Sequence, residues 1–149
     1  MSSSMESLHQ EIILDLSRHP HGRGLEGDAN GSSHQVNPTC GDELTLELHL
    51  ESGSDRIRSV RWEGQGCAIS QASASLFSDL ATGLTTAELG TRIDVFRTAM
   101  RSRGTIEPDE ELLGDAVALG GVSRYVARVK CAMLAWVAGE EAIAVAVAA

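Results

Sequence analysis

The chain is short of aromatics, proline and positive charge: of its 149 residues only 3% are Phe, Trp or Tyr, three are proline, and 12 Lys and Arg stand against 21 Asp and Glu. Scarce aromatics leave alanine, leucine, valine and isoleucine to fill the core. A net charge of -9 without a basic stripe excludes nucleic acid as a partner, because neutralising phosphates needs clustered Lys and Arg. The three cysteines are an odd number, and the chain does not open on a basic segment followed by an apolar run and a cleavage site. The expectation is a cytoplasmic protein rather than a secreted disulfide framework, in which the Asn30-Gly31-Ser32 glycosylation pattern has no use. The apolar stretch at 142–149 falls far short of the roughly 20 residues that span a bilayer, so no membrane is expected either. No internal repeat is visible, and no glycine-rich segment continues into the Gly-Lys-Ser/Thr of a phosphate loop.

What is present suits one domain with its own core. Residues 1–4 read as a frayed end, after which Leu8, Ile12, Ile13 and Leu16 recur at helical spacing up to His19-Pro20. Residues 20–33, rich in glycine, read as a long irregular connection; His19, His21 and His34 near it lack fixed spacing to a second strong ligand and are expected to be solvated. From Glu43 the chain alternates, with Leu44, Leu46, Leu48 and Leu50 on one face and Thr45, Glu47 and His49 on the other, which predicts a half-buried strand with His49 on the solvated side. Ser52-Gly53-Ser54-Asp55 turns the chain into a second strand over 56–63, carrying Ile57, Val60 and Trp62. Helices are expected after Cys67 (inner face Ile69, Ala72, Leu76, Phe77, Leu80), over 86–103 (Leu89, Ile93, Phe96, Met100), over 112–119, and beyond a break at Gly120-Gly121 (Val122, Tyr125, Val126, Val129, Met133, Leu134, Val137). The acidic residues 107–111 read as a solvated loop.

Chemistry concentrates in Asn37-Pro38-Thr39-Cys40-Gly41-Asp42, where proline and glycine shape a turn able to aim a thiol and a carboxylate at one point. That pairing suits a metal, although a small buried hydrophobe is the usual alternative for a free cysteine. An antiparallel hairpin returns the chain from Cys40 to Cys67, just beyond its second strand. Cys67 opens a helix, where unsatisfied amides and the helix dipole favour an anion. Gly64-Gln65-Gly66 is not a dinucleotide fingerprint, because Ile69 stands where the third glycine belongs.

Three motifs in order, Asn37-Pro38-Thr39-Cys40-Gly41-Asp42, Gly64-Gln65-Gly66-Cys67-Ala68-Ile69-Ser70 and Arg128-Val129-Lys130-Cys131-Ala132, resemble the cysteine motifs of the SufU proteins, relatives of the IscU iron-sulfur scaffolds. Lys130 stands where IscU scaffolds carry a histidine, and residues 97–121 look like the insertion typical of SufU. The resemblance implies an α+β fold, a small antiparallel sheet packed against helices, as one domain over 1–149 with a flexible N-terminus at 1–5, the insertion at 97–121 and a C-terminal tail at 140–149. It implies Zn2+ held by Cys40, Asp42, Cys67 and Cys131, with Cys40 as persulfide acceptor from a SufS-type cysteine desulfurase and delivery to other iron-sulfur assembly proteins. A histidine of the desulfurase would take the place of Cys40 on the metal and release its sulfur for attack. Three thiolates and a carboxylate are a shell that zinc favours, and it suits a structural staple as well as a carrier. Its surplus negative charge calls for a cation, and Arg128, one helical turn before Cys131, is the best placed by spacing to support a thiolate. The alternative function is a scaffold holding a nascent iron-sulfur cluster on the same cysteines.

Overall fold

The computed structural model describes residues 2–38 and 41–148, and side chains from Met5 to Ala148. Helix α1 (Ser2–Arg18) is followed by three strands, β1 (Gly31–Asn37), β2 (Asp42–Leu50) and β3 (Ile57–Gln65), which form one antiparallel sheet in the order β1-β2-β3. Helices α2 (Ala68–Ala81) and α3 (Thr86–Arg101), the short α4 (Glu110–Leu113), a 3-10 segment (Gly114–Arg124) and the long α5 (Val126–Ala148) complete the α+β architecture expected. Helix α1 already includes Ser2–Ser4, ahead of the apolar periodicity.

The sheet has one strand more than the sequence predicts. Strand β1 reads GSSHQVN, polar and without apolar alternation, and begins within the presumed irregular connection over 20–33. Tertiary contact makes it a strand: it pairs with β2 from Gly31↔Leu48 to Asn37↔Asp42, and α5 packs against it. Gly31 is required there, since a Cβ would collide with the carbonyl of Ala142.

His49 is not solvated. It is 3% exposed and Glu47 is 8% exposed, so β2 is covered on both faces. The connection after α1 folds over the second face, and the amides of Glu26 (2.8 Å) and Gly27 (3.2 Å) donate to Glu47 Oε1, with His49 Nε2 at 3.1 Å from the same atom. Alternation reports which residues share a face, not whether a distant loop covers it.

The inner face of the sheet packs on α2 and α5. The few aromatics are concentrated there: Trp136 stacks on Phe96 at 3.8 Å between centroids and meets Phe77 edge-on at 4.9 Å. Small residues let α2 and α5 approach, and Gly139 lies directly beneath the Phe77 ring. Trp136 Nε1 donates to Ser73 Oγ (2.9 Å), and that hydroxyl donates to the carbonyl of Ala132 (2.5 Å), the residue after Cys131. Two buried hydrogen bonds thus tie α2 to α5 beside their cysteines.

Two expectations for the C-terminal half are corrected. The glycine pair does not break the chain; the 3-10 segment runs through it, and the break falls at Tyr125, whose backbone is extended (φ -117°, ψ 95°). The phase of the apolar pattern changes there, so Tyr125 and Val126, expected in the core, are 61% and 59% exposed. Residues 140–148 of the expected tail at 140–149 continue α5. That helix is long and apolar enough by length and composition to cross a membrane, but half of its most apolar window is buried within the fold.

Candidate metal centre

The site forms where the end of the sheet meets the N-terminal parts of α2 and α5. Asp42 opens β2 directly opposite Asn37, the last residue of β1. Thr39 and Cys40 lie between them in sequence and outside the described residues, so the expected ligand Cys40 is not placed. Gly41, with φ of 73°, donates its amide to the Asn37 carbonyl at 2.9 Å. At the same end of the sheet, the rung Glu43↔Gln65 carries the chain past Gly66 to Cys67 at the N-cap of α2. Cys131 comes from the second turn of α5.

Three of the four expected ligands meet. Asp42, Cys67 and Cys131 each offer one ligand atom, and these atoms all lie within 4.8 Å of one another. Asp42 is fully buried and Cys131 nearly so at 4%, whereas Cys67 is exposed. The carboxylate is aimed by one firm contact, the Cys67 amide donating to Asp42 Oδ1 at 3.1 Å. Cys67 therefore acts twice, by its backbone on the carboxylate and by its sulfur in the cluster. Gly66 makes the approach possible, because a Cβ there would collide with Asp42 Oδ1 and Ser70 Oγ. Behind it, Ser70 Oγ (3.0 Å) and the Gln71 amide (3.2 Å) donate to the Cys67 carbonyl, and Gln71 Nε2 donates to that of Gly66 (3.0 Å), fixing the helix entry.

Asp42 Oδ2 is buried with no hydrogen-bond partner among the described residues. A buried carboxylate oxygen left in that state is costly unless a cation or a donor completes it. Two thiols within reach make a metal the fitting partner, since sulfurs around one zinc at about 2.3 Å stand roughly 3.8 Å apart, inside the 4.8 Å that bounds these ligand atoms. The donor set of sulfur and carboxylate suits zinc or iron and not magnesium or calcium, which take oxygen ligands.

Three of the five histidines are engaged elsewhere. His21 Nδ1 meets Asp79 at 2.7 Å, His34 Nε2 meets Glu43 at 3.0 Å, and His49 belongs to Glu47; none joins the cluster among the described residues. Arg128 is exposed and makes no ion pair or side-chain hydrogen bond with a described residue. Sequence reasoning passed over Asn37, which is 7% exposed with its Nδ2 also lacking a partner among the described residues. Only the register, invisible without β1, sets it opposite Asp42.

Comparison with known proteins agrees with this geometry. The chain matches the NifU-like N terminal domain over residues 8–132, a span that contains every candidate ligand. It is 33% identical over 144 residues to the zinc-dependent sulfurtransferase SufU of Bacillus subtilis, covering 96% of this chain and 94% of that protein. It is 34% identical over 141 residues to the iron-sulfur cluster assembly scaffold protein IscU of Streptococcus pyogenes, covering 95% and 86%. Among solved structures, a putative iron-sulfur cluster assembly scaffold protein for the SUF system from Fervidobacterium islandicum superposes with a TM-score of 0.74 at 34% identity, over 89% of this chain and 94% of that one. A NifU-like protein from Brucella abortus, at 22% identity, shares the fold with a TM-score of 0.79, covering 92% of each chain. The chain belongs to the NifU-like N-terminal domain family and stands with the SufU and IscU proteins that it resembles along nearly its whole length.

Proposed function

We propose that this chain is a zinc-bound sulfur carrier that accepts persulfide sulfur from a SufS-type cysteine desulfurase in the cytoplasm and passes it to other iron-sulfur assembly proteins. The observation that carries the reading is the buried, unpartnered Oδ2 of Asp42 with the sulfurs of Cys67 and Cys131 within 4.8 Å, joined to the likeness to a zinc-dependent sulfurtransferase. Asp42, Cys67 and Cys131, with Cys40 as fourth ligand, would hold Zn2+, which when bound keeps the thiols deprotonated and guards them from oxidation.

The protein's own part is unequal support of these groups. Asp42 is held by the Cys67 amide, and Cys131 by a helix fastened to α2 through Ser73 and Ala132. Cys40 comes from the β1–β2 connection, and a loop residue changes position at lower cost than one fixed in a helix. Cys40 is therefore the acceptor: its thiolate sulfur attacks the outer persulfide sulfur of the donor cysteine, one S–S bond forms as another breaks, and the electron pair leaves on the donor thiolate. Arg128, exposed one turn before Cys131, is assigned the support of a thiolate. Pyridoxal phosphate belongs to the desulfurase.

Mass spectrometry after incubation with the desulfurase and cysteine is expected to place the extra sulfur on Cys40. Cys40→Ser is expected to keep part of its zinc, to collect no persulfide and not to stimulate cysteine turnover. Sulfur chiefly on Cys67 or Cys131, or full stimulation by Cys40→Ser, defeats the assignment. The second reading, a scaffold for a nascent cluster on the same cysteines, draws on the likeness to IscU proteins of Streptococcus pyogenes and Thermotoga maritima at 34% and 35% identity. Zinc and iron analysis of the purified protein separates the two, since a brown protein that loses iron to a chelator favours the scaffold.

A further inference from the structure

The face made by the α3–α4 connection and the 3-10 segment carries charges that match a copy of itself. The two segments run side by side in opposite directions, since Gly104 lies against the Arg124 side chain and Gly120 against the Pro108 ring. Arg101, Arg103 and Arg124 are thereby gathered at one end of a strip, and Glu107, Glu110 and Glu111, close to Pro108 in the chain, at the other. All six residues are exposed, and apart from a 3.4 Å contact between Arg124 and Glu6 none forms an ion pair with a described residue. Ile106 is 48% exposed between the two ends.

The basic end also carries Tyr125. Both tryptophans and both phenylalanines are buried, so the single tyrosine is the aromatic left outside the core. Its backbone is pinned: the amide donates to the Val122 carbonyl at 2.9 Å, and the carbonyl accepts from the amides of Arg128 (2.8 Å) and Val129 (3.1 Å). An aromatic ring on a fixed backbone beside an arginine has the makings of an interface anchor, because little conformational freedom is left to lose on binding.

What covers the strip follows from its two signs. A wholly acidic partner is repelled at the glutamates, and a wholly basic one at the arginines. A second copy turned about a twofold axis sets each end against its opposite, the self-complementarity that an isologous contact requires. The same turn carries Tyr125 to the glutamate end of the other copy, where Gly121 is exposed and the space a side chain would fill is open. We propose that two copies of this chain pair through this strip, the arginine end of each against the glutamate end of the other, with each Tyr125 ring seated on the partner's Gly121. None of these residues is a candidate metal ligand, so the pairing does not depend on what the metal centre holds.

Analytical ultracentrifugation of the full chain over a concentration series, in low and in high salt, tests it. Wild type is expected to show a monomer–dimer equilibrium whose dissociation constant rises at least about tenfold when salt screens the charges. The triple variant Arg101→Glu, Arg103→Glu, Arg124→Glu makes the strip wholly acidic, and Glu107→Lys, Glu110→Lys, Glu111→Lys makes it wholly basic. Each is expected to be monomeric alone, and an equimolar mixture to form a one-to-one heterodimer. Tyr125→Ser is expected to weaken the wild-type dimer about 10–100-fold. Gly121→Gln, which fills the seat where the fold leaves open space, is expected to do the same if the serine variant fails to fold. A wild type that stays monomeric throughout overturns the pairing, and weaker binding of Tyr125→Ser to the desulfurase would then give the face to that enzyme. A dimer unchanged by these substitutions, or triple variants that do not associate when mixed, overturns the choice of face.

Discussion

Strand β2 buries a carboxylate towards each end, and the fold treats the two in opposite ways. Glu47 is enclosed by the connection after α1, with the amides of Glu26 and Gly27 and the ring of His49 all within hydrogen-bond distance of it. Asp42 is more deeply buried, yet one of its oxygens has no partner among the described residues. Burial by itself would raise the carboxyl pKa of Glu47, but hydrogen bonds from the Glu26 amide, His49 and the Gly27 amide, with the charge of His49, outweigh it and hold it below the ordinary value. A buried acid whose acceptors are filled by the chain is a stitch. One left open, with two thiols and an idle amide donor around it, is a place for something the chain does not itself contain.

The contrast breaks first on the metal. Stripping zinc is expected to remove about 4 kcal/mol of stability when the metal stands at roughly a thousand times its dissociation constant. That corresponds to a fall in melting temperature of about 8–16 °C for a chain of this size. Calorimetry with and without chelator reads it, and an unchanged melting temperature counts against the site.

Glu47→Ala is next in size. It leaves two amides and His49 buried without their acceptor and is expected to cost about 3 kcal/mol in urea unfolding, with zinc stoichiometry unchanged. The milder Glu47→Gln sharpens the point through pH. Because the folded carboxyl is held below its unfolded value, near 4.5, its contribution is present above that pH and is lost as the pH falls through the folded value. Wild-type stability should therefore drop more steeply between neutral and acid pH than that of Glu47→Gln; parallel curves would show that Glu47 is not such a stitch.

The smallest effect belongs to the half-exposed pair of His34 and Glu43, beside Asp42 in sequence but outside the cluster. His34→Ala is expected to change stability by less than about 1 kcal/mol and zinc affinity not at all. A large loss of zinc would make His34 a ligand.

How much of this was legible in the sequence follows from the reach of each signal. Leu44, Leu46 and Leu48 and the α3 stripe of Leu89, Ile93, Phe96 and Met100 are local patterns found where their spacing predicts, and of the metal-seeking motifs Asp42, Cys67 and Cys131 come together. Cys67 at the start of α2 was legible too, because the glycines before it mark the passage from strand to helix. Strand β1 was not, since GSSHQVN has no apolar alternation and owes its conformation to β2 on one side and α5 on the other. With β1 went the partner of Asp42, and so Asn37 passed as turn chemistry. The burial of His49 was hidden for the same reason, because a connection some 20 residues upstream in sequence covers it. The break at Tyr125 was misplaced because a 3-10 segment tolerates Gly120 and Gly121, which an α-helix reading takes as its end.

The account turns on the open carboxylate being the one that binds metal, and zinc competition against a coloured chelator in Asp42→Ala and Glu47→Gln, side by side with wild type, tests this most directly. Wild type should hold one zinc per chain, Asp42→Ala should bind it at least about 100-fold more weakly, and Glu47→Gln should stay within about twofold of wild type. Wild-type affinity in Asp42→Ala, or an equal loss in both variants, would contradict it.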